Sequence, residues 1–278
     1  MKCTASHLFA LFLMGFLTLG RAHAAPAAEL WERWDAHDAS SNETIEHSAW
    51  DGFLAKYVRT HPDGINRVDY ANVAAGDKAV LENYLEVLQA TPVSRFNRNE
   101  QRAFWINLYN ALTVHVVLEH YPVVSIRDIR SSLFSSGPWG LDLARVEGEA
   151  LTLDDIEHRI LRPVWRDPRL HYAVNCASLG CPNLLPTAFT AQNTEQQLDF
   201  AASAFINHPR GAAVVDGRLQ VSSIFDWFVE DFGGDDAGVI AHLRQHADPA
   251  LSESLANITS VSDDDYDWQL NDLTTAIE

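Results

Sequence analysis

The chain has 278 residues and a formal net charge of −18, from 38 acidic and 20 basic side chains. So acidic a protein repels phosphate backbones, which excludes nucleic acid as an expected partner. A hydrophobic fraction of 47% with 10% aromatics excludes a disordered chain and suffices for one large core or two smaller ones.

The first 24 residues read as a signal peptide. Lys2 gives a positive start, residues 8–19 are apolar, and Ala22-His23-Ala24 forms a small-x-small cleavage pattern. The apolar run is short for a bilayer span, although an N-terminal anchor is the alternative reading. No later segment is long and apolar enough to cross a membrane. The expectation is a periplasmic or secreted protein with no membrane span after signal removal. Cleavage takes two basic residues and no acid, leaving 18 against 38. An exported protein also meets conditions that permit disulfides.

Residues 25–49 form an acidic lead-in carrying Trp31 and Trp34, expected to pack loosely, and residues 50–278 form the domain. "WDGFLAKYVR" has helical spacing, and Asp63-Gly64 marks a turn into a short strand. "GDKAVLENYLEVLQATP" is an amphipathic helix stopped before Pro92. Residues 99–120 predict the longest helix, capped by Asn97 or Asn99 and closed by Pro122. Apolar residues nearly encircle it, so it is expected at the centre. Asn107 and Asn110 share one face of it.

"LARVEGEALTL" predicts a hairpin turning at Glu147-Gly148, and Thr152 with Asp155 resembles a capping box for the helix "LDDIEHRILR". "RLHYAVNC" reads as a strand. A helix over "AQNTEQQLDFAASAFINHP", a hairpin at Asp216-Gly217 and two short helices, "SIFDWFVEDFGG" and "AGVIAHLRQHAD", follow. The acidic tail ends in an apolar anchor at Trp268 and Leu270. Helices mixed with hairpins predict an α+β fold, a single compact domain with helices around a small, mainly antiparallel sheet.

Five landmarks in order, "FWINLYNAL", "LDDIEHRILR", "DPRLHYAVNCASLGCP", "SSIFDWFVEDF" and "YDWQLN", resemble the family named domain of unknown function 547 (DUF547), common among exported bacterial proteins. The resemblance spans roughly residues 50–270. It implies a compact α+β domain, cysteine-protease-like in its suspected active site. The residues it marks are Glu157, His158, Cys176, Asn107 and Asn110, with His171 and Cys181 as features of the bacterial form.

The thiols Cys176 and Cys181 admit three readings. A disulfide would close a short loop and contribute about 2 kcal/mol. A redox pair is disfavoured by the C-x4-C spacing. A nucleophilic Cys176 needs a base. His171 would point away from Cys176 on a regular strand, whereas His158 on the preceding helix is free to approach it. Glu157 or an asparagine could assist, Asn107 and Asn110 as oxyanion donors or as structural amides. No H-x3-H or H-E-x-x-H pattern is picked out among the histidines, and neither metal nor cofactor is expected. The first function class is a thiol-dependent hydrolase or acyltransferase acting on a small-molecule or peptide substrate. The second is a non-enzymatic binding or structural module pinned by a Cys176–Cys181 disulfide.

Overall fold

The longest helix is the axis around which the other elements pack. Here α3 spans Arg98–His120, and the Asn97 side chain caps it by accepting from the Asn99 and Glu100 N–H groups. Residues 100–114 are buried without interruption, as an all-round apolar pattern requires. The structure, a computed structural model, describes residues 26–130 and 137–275; the expected signal segment, residues 1–24, lies outside the described residues.

Helices α1 (Ser48–Tyr57) and α2 (Ala75–Ala90) bury Trp50, Phe53, Tyr84 and Leu88 in the same core as α3. A second apolar cluster joins α5 (Thr194–Ile206) to the carboxy-terminal third, with Tyr172, Phe205, Phe225 and Leu243 inside it. The result is one compact α+β domain, about 49% helix and 11% strand.

The strands form three small sheets among the described residues. β1 (Val58–Arg59) pairs antiparallel with β2 (Arg67–Val68), and β3 (Ala144–Val146) with β4 (Glu149–Leu151). β5 (Ala212–Val215) pairs antiparallel with β6 (Arg218–Ser222) through Asp216 and Gly217, both at positive φ, as a tight hairpin demands. The expected sheet is mainly antiparallel, but β7 (Val261–Asp265) joins β6 in parallel. Strand β7, made of "VSDDD", carries no alternation that a sequence reading could detect. Helix α8 (Pro249–Leu255), capped by Asp248, likewise has no apolar stripe. Between them and the hairpin lie α6 (Ile224–Trp227), a 3-10 turn at Val229–Phe232 and α7 (Asp236–His246).

Two elements differ from expectation. The segment expected as a strand before Cys176 is a 3-10 helix, Pro168–Tyr172, followed by irregular backbone. Asp167 starts it by accepting from the Arg169 N–H, and Pro168 supplies a helical φ. The helix after the Thr152–Asp155 capping box, whose reciprocal hydrogen bonds are present, is a π-helix over Asp155–Leu161. It runs into α4 (Arg162–Trp165).

Pro163, expected just past that helix, lies inside the helical run and has no N–H. The Arg162 N–H bonds the Glu157 carbonyl five residues back, and Pro163 has no N–H to give, so the His158 and Arg159 carbonyls are left for other donors. The Glu29 and Trp31 N–H groups take those carbonyls at 3.0 Å each. This docks the lead-in, expected to be loose. Trp31 lies against the Arg159 guanidinium, 4.4 Å from ring centroid to charge, and buried Trp34 meets Trp105 edge to face at 5.0 Å.

Trp105→Ala is expected to destabilise the protein by about 3–5 kcal/mol, and Trp34→Ala by a comparable amount despite its place in the lead-in. Urea melts check both; a loss below about 1 kcal/mol for Trp34→Ala would mean the lead-in is not part of the core. His47 supplies a pH test. Its imidazole is buried against the Tyr84 hydroxyl at 2.7 Å, and burial lowers its pKa to about 4. The unfolded chain, with pKa near 6.5, then binds the proton more tightly. Stability is complete above that value and falls as pH drops towards 4. His47→Gln should shrink the stability loss between pH 7 and pH 5 by about 1–2 kcal/mol.

Candidate functional site

The loop carrying the thiols is held from two sides. From α3, the Asn110 side chain donates to the Ala173 carbonyl at 2.8 Å and accepts the Asn175 N–H at 2.8 Å. From the carboxy-terminal segment, the Leu179 and Gly180 N–H groups bond the Gln269 and Asp267 carbonyls, and the Asn271 N–H bonds the Ala177 carbonyl. Gly180 permits that approach, because a Cβ there would stand 2.7 Å from the Asp267 nitrogen. Asn175 completes the frame by donating to the Pro182 carbonyl and accepting the Ala177 N–H.

Residues 170–182 are buried with one exception, Cys176, which reaches solvent in part. The next residue, Ala177, sits at φ +57°, an αL conformation unusual for a residue with a Cβ. The Cys176 Sγ lies 2.9 Å from the Cys181 Sγ, 2.9 Å from the Tyr266 hydroxyl and 3.3 Å from the Ser178 hydroxyl. The Ser178 hydroxyl also lies 3.0 Å from the Tyr266 oxygen, so its one proton serves either that oxygen or the sulfur. Burial opposes ionisation of Cys176. Hydrogen bonds from Cys181, Ser178 and Tyr266 outweigh it and hold the thiol below its ordinary pKa. Cys181 is displaced the other way, pushed well up by burial and by its neighbour.

Glu157, on the π-helix, is the carboxylate whose charge acts on Cys176. Its own pKa is raised by burial, against the pull of His171, the Tyr109 hydroxyl and Arg162. His171 has its Nδ1 3.8 Å from Glu157 and its Nε2 2.7 Å from Asp231, with its ring stacked on Phe228. Arg162 holds Asp231 through Nε at 2.6 Å and meets the Pro26 carbonyl and the His158 Nδ1. Despite burial, those hydrogen bonds from His171 and Arg162 take Asp231 down to about 2. A cavity of about 430 Å³ opens against Arg162, Asp167, Glu230 and Asp231, with Leu30 of the lead-in on its wall.

The expected site residues thus separate. Glu157 lies near enough for its charge to act on Cys176, and His171 comes to Glu157 at 3.8 Å, the 3-10 helix having replaced the expected strand geometry. His158 points instead to Arg162 and Asp154. Burial and the Arg162 charge lower its pKa to about 4, so it is neutral at pH 7 and supplies no imidazolium to a thiolate. Adjacent side chains diverge on any helix, which is why Glu157 and His158 serve different networks. Asn107 clamps Phe189 through both its N–H and its carbonyl, at 3.0 and 2.7 Å. Together with the Asn110 bonds this engages the amides with backbone, as structural ties.

Sequence reasoning missed Tyr266, Ser178, Tyr109 and Asp231. Tyr266 and Asp231 are distant from Cys176 in the chain but stand inside the quoted landmarks "YDWQLN" and "SSIFDWFVEDF"; Ser178 sat inside the quoted thiol motif and Tyr109 inside "INLYN". Contrary to the reading that no H-x3-H pattern stands out, His242 and His246 have that spacing; His242 is engaged with the Tyr172 hydroxyl at 2.9 Å. Among the described residues, the one group with metal-ligand geometry is Glu82, His115 and Glu119, on the surface and with Lys78 already paired to Glu119.

Asn110→Ala should destabilise the fold by about 2–4 kcal/mol, since it strands a buried N–H and a buried carbonyl of the thiol loop. Thermal melts test this. An unchanged melting temperature would show that the amide is spare and available for chemistry.

Comparison with curated proteins gives no match, and neither does comparison with solved structures. Residues 93–206, which run from the turn before α3 to the end of α5 and include Glu157, His171, Cys176 and Cys181, match the family model described as protein of unknown function, DUF547.

Proposed function

We propose that the whole chain is an exported DUF547-type protein acting as a thiol-dependent hydrolase or acyltransferase, with Cys176 as nucleophile. One observation carries this reading: in a buried, doubly anchored loop, Cys176 alone reaches solvent, with its sulfur met by Cys181, Ser178 and Tyr266. A thiolate stabilised by such donors attacks an acyl carbon, the leaving group departs, and water or an acceptor resolves the acyl-enzyme.

Glu157 is the proton acceptor in this reading. Its pKa is raised while that of Cys176 is lowered, which narrows the gap across which a proton must move. His171, fixed by Asp231, positions Glu157. His158 is not required. The substrate class is an acyl compound, a small ester, thioester or peptide.

The 2.9 Å between the sulfurs favours a second reading, a binding module pinned by a Cys176–Cys181 disulfide.

Reduced protein should release p-nitrophenol from p-nitrophenyl acetate in a burst equal to the protein concentration, leaving an acetyl group on Cys176. Cys176→Ser should abolish it. Glu157→Gln should lower turnover by about 100-fold or more while moving the alkylation midpoint of Cys176 down, because a negative charge has been removed. Tyr266→Phe should move that midpoint up, and His158→Gln should leave both near the parent values. A disulfide whose reduction unmasks no acylation would establish the second reading instead.

A further inference from the structure

The arrangement of the two thiols supports an activity that acyl transfer does not need. Cys176 is partly exposed, while Cys181 lies beneath it, fully buried. Both are free thiols, and their sulfurs are 2.9 Å apart. A hydrolase has no use for a second thiol in contact with its nucleophile. Of the two, Cys176 is the more exposed to an approaching oxidant.

We propose that Cys176 reduces hydroperoxides and that Cys181 resolves the product. The Cys176 thiolate attacks the distal oxygen of a hydroperoxide. The O–O bond breaks, the alcohol (water, when hydrogen peroxide is the oxidant) leaves with a proton, and Cys176 becomes a sulfenic acid. The Cys181 sulfur then attacks the Cys176 sulfur. The S–O bond breaks, and hydroxide leaves as water with the proton that Cys181 gives up. Two thiols are oxidised to one disulfide, and one hydroperoxide is reduced. An external dithiol returns the pair to the reduced state by thiol–disulfide exchange.

The frame suits both halves of this cycle. The Tyr266 and Ser178 hydroxyls, 2.9 and 3.3 Å from the sulfur, are placed to stabilise the attacking thiolate and the departing oxygen. The second attack needs no local unfolding, because the resolving sulfur is already in contact and only side-chain movement separates it from a bond of about 2.05 Å. Here Ala177, Leu179 and Gly180 are bonded to the carboxy-terminal segment with the two sulfurs already in contact. The proposal depends on Cys176 being free, as the proposed function does, but not on any acyl chemistry.

The experiment adds hydrogen peroxide to reduced full-length mature protein at pH 7, with thiol mapping by mass spectrometry. One equivalent should close the Cys176–Cys181 disulfide, up to about thirtyfold faster than free cysteine reacts, the gain expected from full ionisation at pH 7. Cys181→Ser should stop at a sulfenic acid on Cys176, trapped by dimedone. Cys176→Ser should leave Cys181 reduced. Stepwise oxidation of Cys176 to sulfinic acid in the intact pair would overturn the proposal. So would a rate no greater than that of free cysteine, or oxidation of Cys181 in Cys176→Ser at the parent rate. The ester burst, measured on the same reduced sample, separates the two activities. Disulfide closure without a burst removes the hydrolase reading alone, and a burst without closure removes the peroxide reading alone.

Discussion

The thiol loop rests on one buried amide. Asn110 of α3 holds the Ala173 carbonyl and the Asn175 N–H together, so the backbone entering Cys176 is fixed to the most deeply buried helix of the molecule. A side-chain amide is the right instrument, since it offers one donor and one acceptor in a plane, the same pair that an irregular backbone segment leaves unmet. Asn107 repeats the arrangement one helical turn earlier, at Phe189. Because the two lie three residues apart, one face of α3 ties down the segments on both sides of the thiols. Rigid loops of this kind can hold a residue such as Ala177 in a strained conformation, because the surroundings over-determine it.

A second constraint comes from a missing atom. Arg162 gives its N–H to the Glu157 carbonyl and Pro163 has none, so the end of the π-helix leaves the His158 and Arg159 carbonyls open. The extended lead-in fills them with alternate N–H groups, from Glu29 and Trp31, and its tryptophans then complete the core against Trp105 and Arg159. The same lead-in brings the Pro26 carbonyl to Arg162. Arg162 in turn orients Asp231, and Asp231 orients His171. The amino-terminal segment is thus linked, through three side chains, to Glu157, the carboxylate whose charge acts on Cys176.

The electrostatics of the site follow from which charges are buried together. Arg162 is shared between Asp231 and His158; it stabilises the ionised carboxylate and disfavours a second positive charge on the imidazole. That division keeps His158 neutral and leaves His171 as the histidine paired with acids. Glu157, buried beside Tyr109 and His171, is pushed towards its protonated form by burial. Cys176 is pulled towards its ionised form by local donors. The two groups are therefore matched without any direct histidine–cysteine contact.

The sequence by itself determined the features that depend on local pattern. The apolar surround of residues 99–120, the Thr152–Asp155 box, and the turns at Glu147-Gly148 and Asp216-Gly217 each require only neighbouring residues, and each stands where the pattern puts it. Cys176 and Glu157 were legible as candidates from the motif that contains them. Tertiary structure decided the rest. Whether residues 168–172 form a strand or a 3-10 helix depended on an Asp-Pro start outweighing an apolar alternation. With that choice the histidine facing Glu157 became His171. Strand β7 and the docked lead-in have no periodicity of their own and are defined by the partners they meet. Tyr266 and Asp231 stand within quoted landmarks, but nothing in the chain assigns them to the thiol or to His171. They join the thiol and His171 because the carboxy-terminal third folds back over the loop, and backbone hydrogen bonds across some 90 residues of sequence leave no local trace.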